Sequence, residues 1–203
     1  NGQSDEGAAF VFHGSATGVS PTVVTQVESN YVGAEFGRYV STAGDVNADG
    51  YSDVIVGAHL FENGATDEGA AFIYHGSSSG ISTTVSSQLE MNNPGANFGI
   101  SVACAGDVNG DGYSDVIVGG NDYENGQTDE GGAFVFHGSA SGVSTTVSST
   151  LELNQAYSEM GYGVSSAGDV NGDGYSDILV GARYYDNGHS SEGCAAIYHG
   201  SAS

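Results

Sequence analysis

The chain has 203 residues, with 25 Asp and Glu against two basic residues, Arg38 and Arg183, and a formal net charge of −23. That balance argues against nucleic acid and against an anionic membrane surface as partners, and no run of about 18 apolar residues is present to insert into a membrane. Glycine is abundant (34 residues), proline scarce (2), and short runs of Val, Tyr and Phe recur, which is the composition of an all-β chain with many tight turns.

In chain order, Gly7–His13 and Val23–Glu28 read as strands. Then comes a unit that repeats: a strand at Phe36–Ala43, an Asp-rich loop, a strand at Asp53–Ala58, an Asn63-Gly64 turn and a strand at Gly69–His75. A Gly/Ser turn at 76–80 and a peripheral strand at Val85–Glu90 complete it. Equivalent strands fall at 98–105, 115–120, 131–137 and 147–152, and the last predicted strand is Gly193–His199. The period is 62 residues, marked by His13, His75, His137 and His199 and by Glu6, Glu68, Glu130 and Glu192.

The second and third strands of each unit are apolar at consecutive positions, as in Val54-Ile55-Val56 and Phe72-Ile73-Tyr74, so both faces are expected to be covered. Blades of four antiparallel strands in a β-propeller satisfy this. A parallel β-helix is the competing architecture, disfavoured because its repeats are usually much shorter. The division predicted is a partial blade at 1–30, repeats at 31–92 and 93–154, and a third repeat at 155–203 lacking its outer strand. About three blades do not close a ring. The expectation is therefore either a piece of a longer repeat protein or copies that self-associate by exchanging strands into a ring or filament.

The loop is the most informative stretch. It places oxygen side chains at its first, third, fifth and ninth positions and glycine at its sixth, three times over. The candidate ligands are Asp45, Asn47, Asp49, the Tyr51 carbonyl and Asp53; Asp107, Asn109, Asp111, Tyr113 and Asp115; and Asp169, Asn171, Asp173, Tyr175 and Asp177. A hard cation such as Ca²⁺ takes six to eight oxygens at roughly 2.3–2.6 Å from a flexible cage, and glycine permits the sharp turn. Zinc fits poorly because no Cys or His lies in the loop, and magnesium wants fewer protein ligands and more water. An Asx-rich turn that binds nothing would account for one copy. It accounts poorly for three, since neighbouring carboxylates without a cation repel by roughly 1–4 kcal/mol per pair. Three calcium sites are expected.

These residues also carry a resemblance. Phe36-Gly37 and Phe98-Gly99 before the first strand, the Asp-x-Asn-x-Asp-Gly-x-x-Asp loop and Val-Gly-Ala after the second strand resemble the FG-GAP repeat. That repeat builds the β-propeller of integrin α subunits and occurs in many secreted bacterial proteins, whose phrasing His137–Ser144 and Ala105–Asp115 is similar to. The resemblance implies calcium-binding propeller blades, a secreted or cell-surface location, and a non-enzymatic role in adhesion or structural assembly through protein contacts. The chain departs from the pattern at Met160-Gly161, at His59, Asn121 and Arg183, where proline is expected, and at Ala48, where the other loops have glycine.

Four equivalent histidines point to a structural strand-end role, because an active site is usually singular. Cys104 and Cys194 read as small buried substitutions, with a disulfide between them as the sharper alternative. The stretches Thr66–Gly69 and Thr128–Gly131 read as solvated hairpins, with a second cation site as the alternative. A calcium-dependent lectin is the second functional reading, kept open by Tyr31, Tyr123, Tyr157, Tyr184 and Tyr185 in variable loops.

Overall fold

The computed structural model describes residues 3–202; residues 1 and 2 of the partial blade and residue 203 lie outside the description. It is all-β. The opening strands are β1 (Ala9–Val11), β2 (Gly14–Ser15), β3 (Gly18–Val19) and β4 (Thr25–Val27), with β1 paired to β4 and β2 to β3. The first full blade is β5 (Tyr39–Gly44), β6 (Asp53–Ala58), β7 (Ala70–Tyr74) and β8 (Ser87–Leu89). The second is β9 (Ser101–Gly106), β10 (Asp115–Gly120), β11 (Gly132–Phe136) and β12 (Ser149–Leu151). The third sheet has β13 (Met160–Gly168), β14 (Asp177–Ala182) and β15 (Cys194–Tyr198). Strands follow one another antiparallel in sequence order within each sheet, and the sheets do not close into a ring.

Three details differ from the sequence reading. The first strands of the full blades begin at Tyr39 and Ser101 rather than at Phe36 and 98, because Phe36 and Phe98 reach back to the preceding sheet. Each makes an isolated parallel bridge there, to Gly7 and Gly69, and Met160 does the same to Gly131. The following Gly37, Gly99 and Gly161 have φ of 88°, 93° and 83° and turn the chain into its own blade. The peripheral strands are also shorter than predicted, and the small β2–β3 hairpin was not foreseen in a Gly/Ser segment without apolar alternation.

Alternating residues of the inner strands feed two different seams. Val56, Phe72 and Tyr74 pack with Phe36 and Val27 on one side of the first blade. On its other side, Ile55, Ile73 and Leu89 pack with Phe98, Val116, Val118, Phe134 and Phe136 of the second. Ile117 and Val135 then meet Met160, Ile178 and Val180 of the third. Phe98 stands edge-on to Phe136 at 6.0 Å, and Phe36 to Tyr74 at 6.3 Å. Met160 fills the equivalent place with a flexible side chain.

The seams are tight at backbone level. A Cβ on Gly69 would lie 2.1 Å from the Phe98 carbonyl oxygen, and one on Gly119 would lie 1.9 Å from that of Gly161. Gly69 also has φ of +78°. The substitution Gly69→Ala is therefore expected to cost about 3 kcal/mol or more, from a backbone clash and left-handed strain together. Gly163→Ala, which meets nothing within 4 Å, should leave stability nearly unchanged; urea unfolding of the two variants checks this.

Candidate metal centre

Each Asp-rich loop is wrapped around its own carboxylates. In the first, Asp45 accepts from the N–H of Asp49 (3.0 Å) and of Gly50 (2.8 Å), Asn47 Oδ1 from Asp49 (3.0 Å) and Asp49 Oδ1 from Tyr51 (3.0 Å). The second and third loops repeat these bonds within 0.1 Å. They add one from Gly110 to Asp107 and from Gly172 to Asp169, both 2.7 Å. Ala48, at the same position in the first loop, sits at φ of +57°. Asp107 Oδ1 and Asp169 Oδ1 each take two of these donors, whereas the other acceptor oxygens take one and, being sp², keep a second lone pair.

The ninth position behaves differently. Asp53, Asp115 and Asp177 are buried, at 1, 0 and 0% exposure. Asp53 Oδ2 accepts from Val46 N–H and Oδ1 from Gly76 N–H, both at 2.8 Å. Asp115 does the same with Val108 and Gly138 (2.9 Å each), and Asp177 with Val170 (2.8 Å) and Gly200 (3.0 Å). Burial pushes the Asp115 carboxyl up, against the pull of the Gly138 and Val108 amides. For Asp177 burial also pushes up, but the Val170 and Gly200 amides and His199, 3.2 Å away, bring it below the usual carboxylate value. The surroundings of the two also differ: Val108 beside the second loop is buried, whereas Val170 beside the third is 52% exposed.

The structure thus gathers the first, third and fifth positions at an exposed loop tip and commits the ninth to the backbone. Among the described residues no three His, Cys, Asp or Glu side chains are brought together closely enough to hold a metal ion. The donor set is nevertheless all oxygen: two carboxylates and an amide oxygen at the tip, a backbone carbonyl and a third carboxylate behind them. In chemistry it fits a hard divalent cation and no softer one.

Comparison with known proteins gives the family of the repeat. Residues 45–118 match the model of the FG-GAP-like repeat, and residues 160–193 that of the FG-GAP repeat. The chain belongs to the FG-GAP repeat family. It is 36% identical to integrin alpha-7 of Rattus norvegicus over 170 residues, covering 83% of the chain and 14% of that protein. It is 30% identical to integrin alpha-4 of Xenopus laevis over 174 residues, 82% of the chain and 16% of that protein. Integrin alpha pat-2 of Caenorhabditis briggsae is 37% identical over 121 residues, 58% of the chain and 10% of that protein. The chain therefore spans only about a seventh of the length of the first of these relatives.

Other residues singled out from this FG-GAP sequence fall into place as follows. His75 Nε2 lies 2.7 Å from Ser86 Oγ and His137 Nε2 2.8 Å from Ser148 Oγ, each pair joining the end of a third strand to the approach of the fourth. Cys104 and Cys194 are free thiols, so no disulfide joins them. The expected solvated hairpins are overturned at their centres. Glu68 and Glu130 are fully buried, and each accepts backbone N–H groups from its own loop, Asn63 for Glu68 and Asn125 (2.7 Å) for Glu130. The repeated Glu was visible in the sequence, but its burial depends on Phe98 and Met160 closing the seam above it.

On the blade edge opposite the Asp-rich loops, the two arginines each meet the glutamate that precedes the Phe-Gly or Met-Gly turn. Arg38 lies 2.6 Å from Glu35, and Arg183 2.6 Å from Glu159. His59, 6% exposed, is 3.5 Å from Arg38. Burial and then the Arg38 charge hold its pKa below the usual value, against Glu35 and Asp67.

Two outcomes are expected. Asp115→Asn leaves one amide oxygen for two N–H donors and should cost about 2–3 kcal/mol in metal-free buffer, whereas Asp111→Asn at the exposed tip should cost well under 1 kcal/mol, both read by urea unfolding. A His59 pKa below its unfolded value means that the unfolded chain binds the proton first, so this contribution to stability is complete above the unfolded pKa of about 6.5 and lost as pH falls below it. The stability slope between pH 7 and 5 should flatten in His59→Gln.

Proposed function

We propose that this chain is a calcium-holding FG-GAP propeller segment that works outside the cell as a non-enzymatic adhesive or structural module and binds other proteins. One observation carries the reading: the same all-oxygen loop, wrapped by the same backbone bonds, occurs three times in a chain similar to integrin alpha proteins. The residues that would hold the ions are Asp45, Asn47, Asp49, Tyr51 and Asp53, with Asp107, Asn109, Asp111, Tyr113 and Asp115, and Asp169, Asn171, Asp173, Tyr175 and Asp177. A bound Ca²⁺ supplies two positive charges to each cluster of carboxylates. The chain's own part is to hold the loop tip to strands β6, β10 and β14 through the ninth aspartate. An extracellular setting suits such sites, whose dissociation constants are commonly about 0.1–1 mM. Among the described residues no helix is long and apolar enough to cross a membrane.

A second reading is favoured by a separate observation. Arg183 lies 4.0 Å from the Tyr162 ring and 4.6 Å from that of Tyr184, with Tyr157 61% exposed in the same blade. Such aromatic surface is what a carbohydrate-binding site uses. Tyr123, by contrast, packs on Phe134 at 5.0 Å, and Tyr185 packs into the seam of the third blade. For self-association the supporting feature is the unpaired edge of β15, with Ile197 52% exposed, together with Phe10 of β1 at 51%. A further blade of a longer polypeptide would cover the same face, and the solution mass by light scattering separates the two.

Calorimetric titration is expected to give about three calcium sites. At about 1 mM calcium each should add up to about 1.4 kcal/mol, raising the melting temperature relative to chelator. A melting temperature unchanged by chelator would overturn the calcium reading, and a glycan-array hit lost in Tyr184→Ala would turn the function towards the lectin.

A further inference from the structure

We infer that the Asp-rich loops are linked in series across the blade seams, so that occupancy of one loop tightens the loop of the blade before it, with Ser114 as a positioning residue of the first loop. The inference rests on the calcium reading above and goes beyond it, to how the sites are regulated by one another.

Two bonded routes run from the ligand residues of the second loop to the first. Ser114 is the eighth residue of the second loop, between the Tyr113 carbonyl and Asp115. Its N–H donates to the Asp45 carbonyl at 3.0 Å, and its Oγ accepts from the Asp45 N–H at 3.2 Å. Both backbone groups of the first ligand of loop one are thus held by a residue of loop two. The second route passes through Asp115. Its Oδ1 holds the Gly138 N–H, and the next residue, Ser139, donates its N–H to the Val46 carbonyl at 3.1 Å. Val46 is in turn the residue whose N–H is held by Asp53.

The next seam repeats the backbone bonds of this pattern. Ser176 donates to the Asp107 carbonyl at 2.9 Å, and Ser201, adjoining the Gly200 held by Asp177, donates to the Val108 carbonyl at 3.0 Å. Room for slack is small: a Cβ on Gly44 would lie 2.4 Å from Ser114 Oγ, and one on Gly106 2.3 Å from Ser176 Oγ. Tyr113 and Asp115 would help hold a cation, and they are tied to Ser114 and Gly138-Ser139 and through these to the backbone that presents Asp45. By linkage the effect is reciprocal between neighbouring loops.

Gly50, Gly112 and Gly174 each donate to the first aspartate of their own loop, at 2.8, 2.8 and 2.9 Å, so their amide NMR signals report the three loops separately. The experiment is a calcium titration of the chain followed at these amides. Asp111→Asn, at an exposed tip that should not disturb folding, is expected to raise the calcium midpoint at Gly50 about fivefold or more, as well as at Gly112. Ser114→Ala should raise the Gly50 midpoint while leaving Gly174 in place. Ser52→Ala, the same change in the first loop, where no loop precedes it in this chain, should leave all three midpoints unchanged. A Gly50 midpoint within twofold of the unaltered chain in both Asp111→Asn and Ser114→Ala overturns the series linkage while the calcium reading stands. Glycine signals that do not move at 10 mM calcium in the unaltered chain overturn both.

Discussion

The bond on which the rest depends is the one between a buried aspartate and two backbone amides at the start of each second strand. Asp53, Asp115 and Asp177 each tie the second residue of the loop to the exit of the third strand. A carboxylate taken out of water is costly unless its oxygens are met, and two N–H donors meet them here. The loop is therefore anchored to the blade core before any cation is considered. Without that anchor the tip carboxylates would sit on a free turn, whose ordering cost would fall on cation binding.

Period, blade pattern and the composition of the loops were legible in the sequence because each is a local property repeated at a fixed step. Consecutive apolar residues marked β6 as covered on both faces, and in the structure Ile55 and Val56 are buried with Val54 half-buried. What was not legible depends on neighbours supplied by another strand or another unit. Nothing in Thr66-Asp67-Glu68-Gly69 shows that Glu68 is enclosed, since the Phe98 N–H that reaches its carbonyl belongs to the next unit. Likewise Tyr123 has the look of a loop aromatic until Phe134 is placed 5.0 Å from it. Spacing makes the ninth aspartate a candidate ligand, but it does not reveal that both its oxygens hold backbone groups.

The charge distribution gives the loops a second role in the physics of the fold. The chain has only two arginines, and both are engaged with glutamates on the edge away from the loops. Neither arginine offsets the nine loop aspartates; His199 lies 3.2 Å from Asp177, and backbone N–H groups with the amides of Asn47, Asn109 and Asn171 meet the other loop carboxylates. Those donors neutralise no net charge. A divalent cation does, which is why stability is expected to depend on the ion rather than on salt bridges: exposed pairs such as Arg38–Glu35 are worth little and are screened.

Differences among the repeats also follow from what each seam encloses. Val46 and Val108, second residues of their loops, are buried because the next blade lies over them, and the exposed Val170 has no such cover. Where the cover exists, the eighth serine and the dipeptide after the third strand of the next blade fasten the loop. Where it is lacking, the loop keeps its internal bonds at the same lengths. The internal bonds therefore define the loop's shape, and the seam decides how firmly that shape is held. A site whose geometry is local and whose stiffness is supplied by its neighbour will respond to that neighbour's state, and repetition along the chain extends the response from blade to blade.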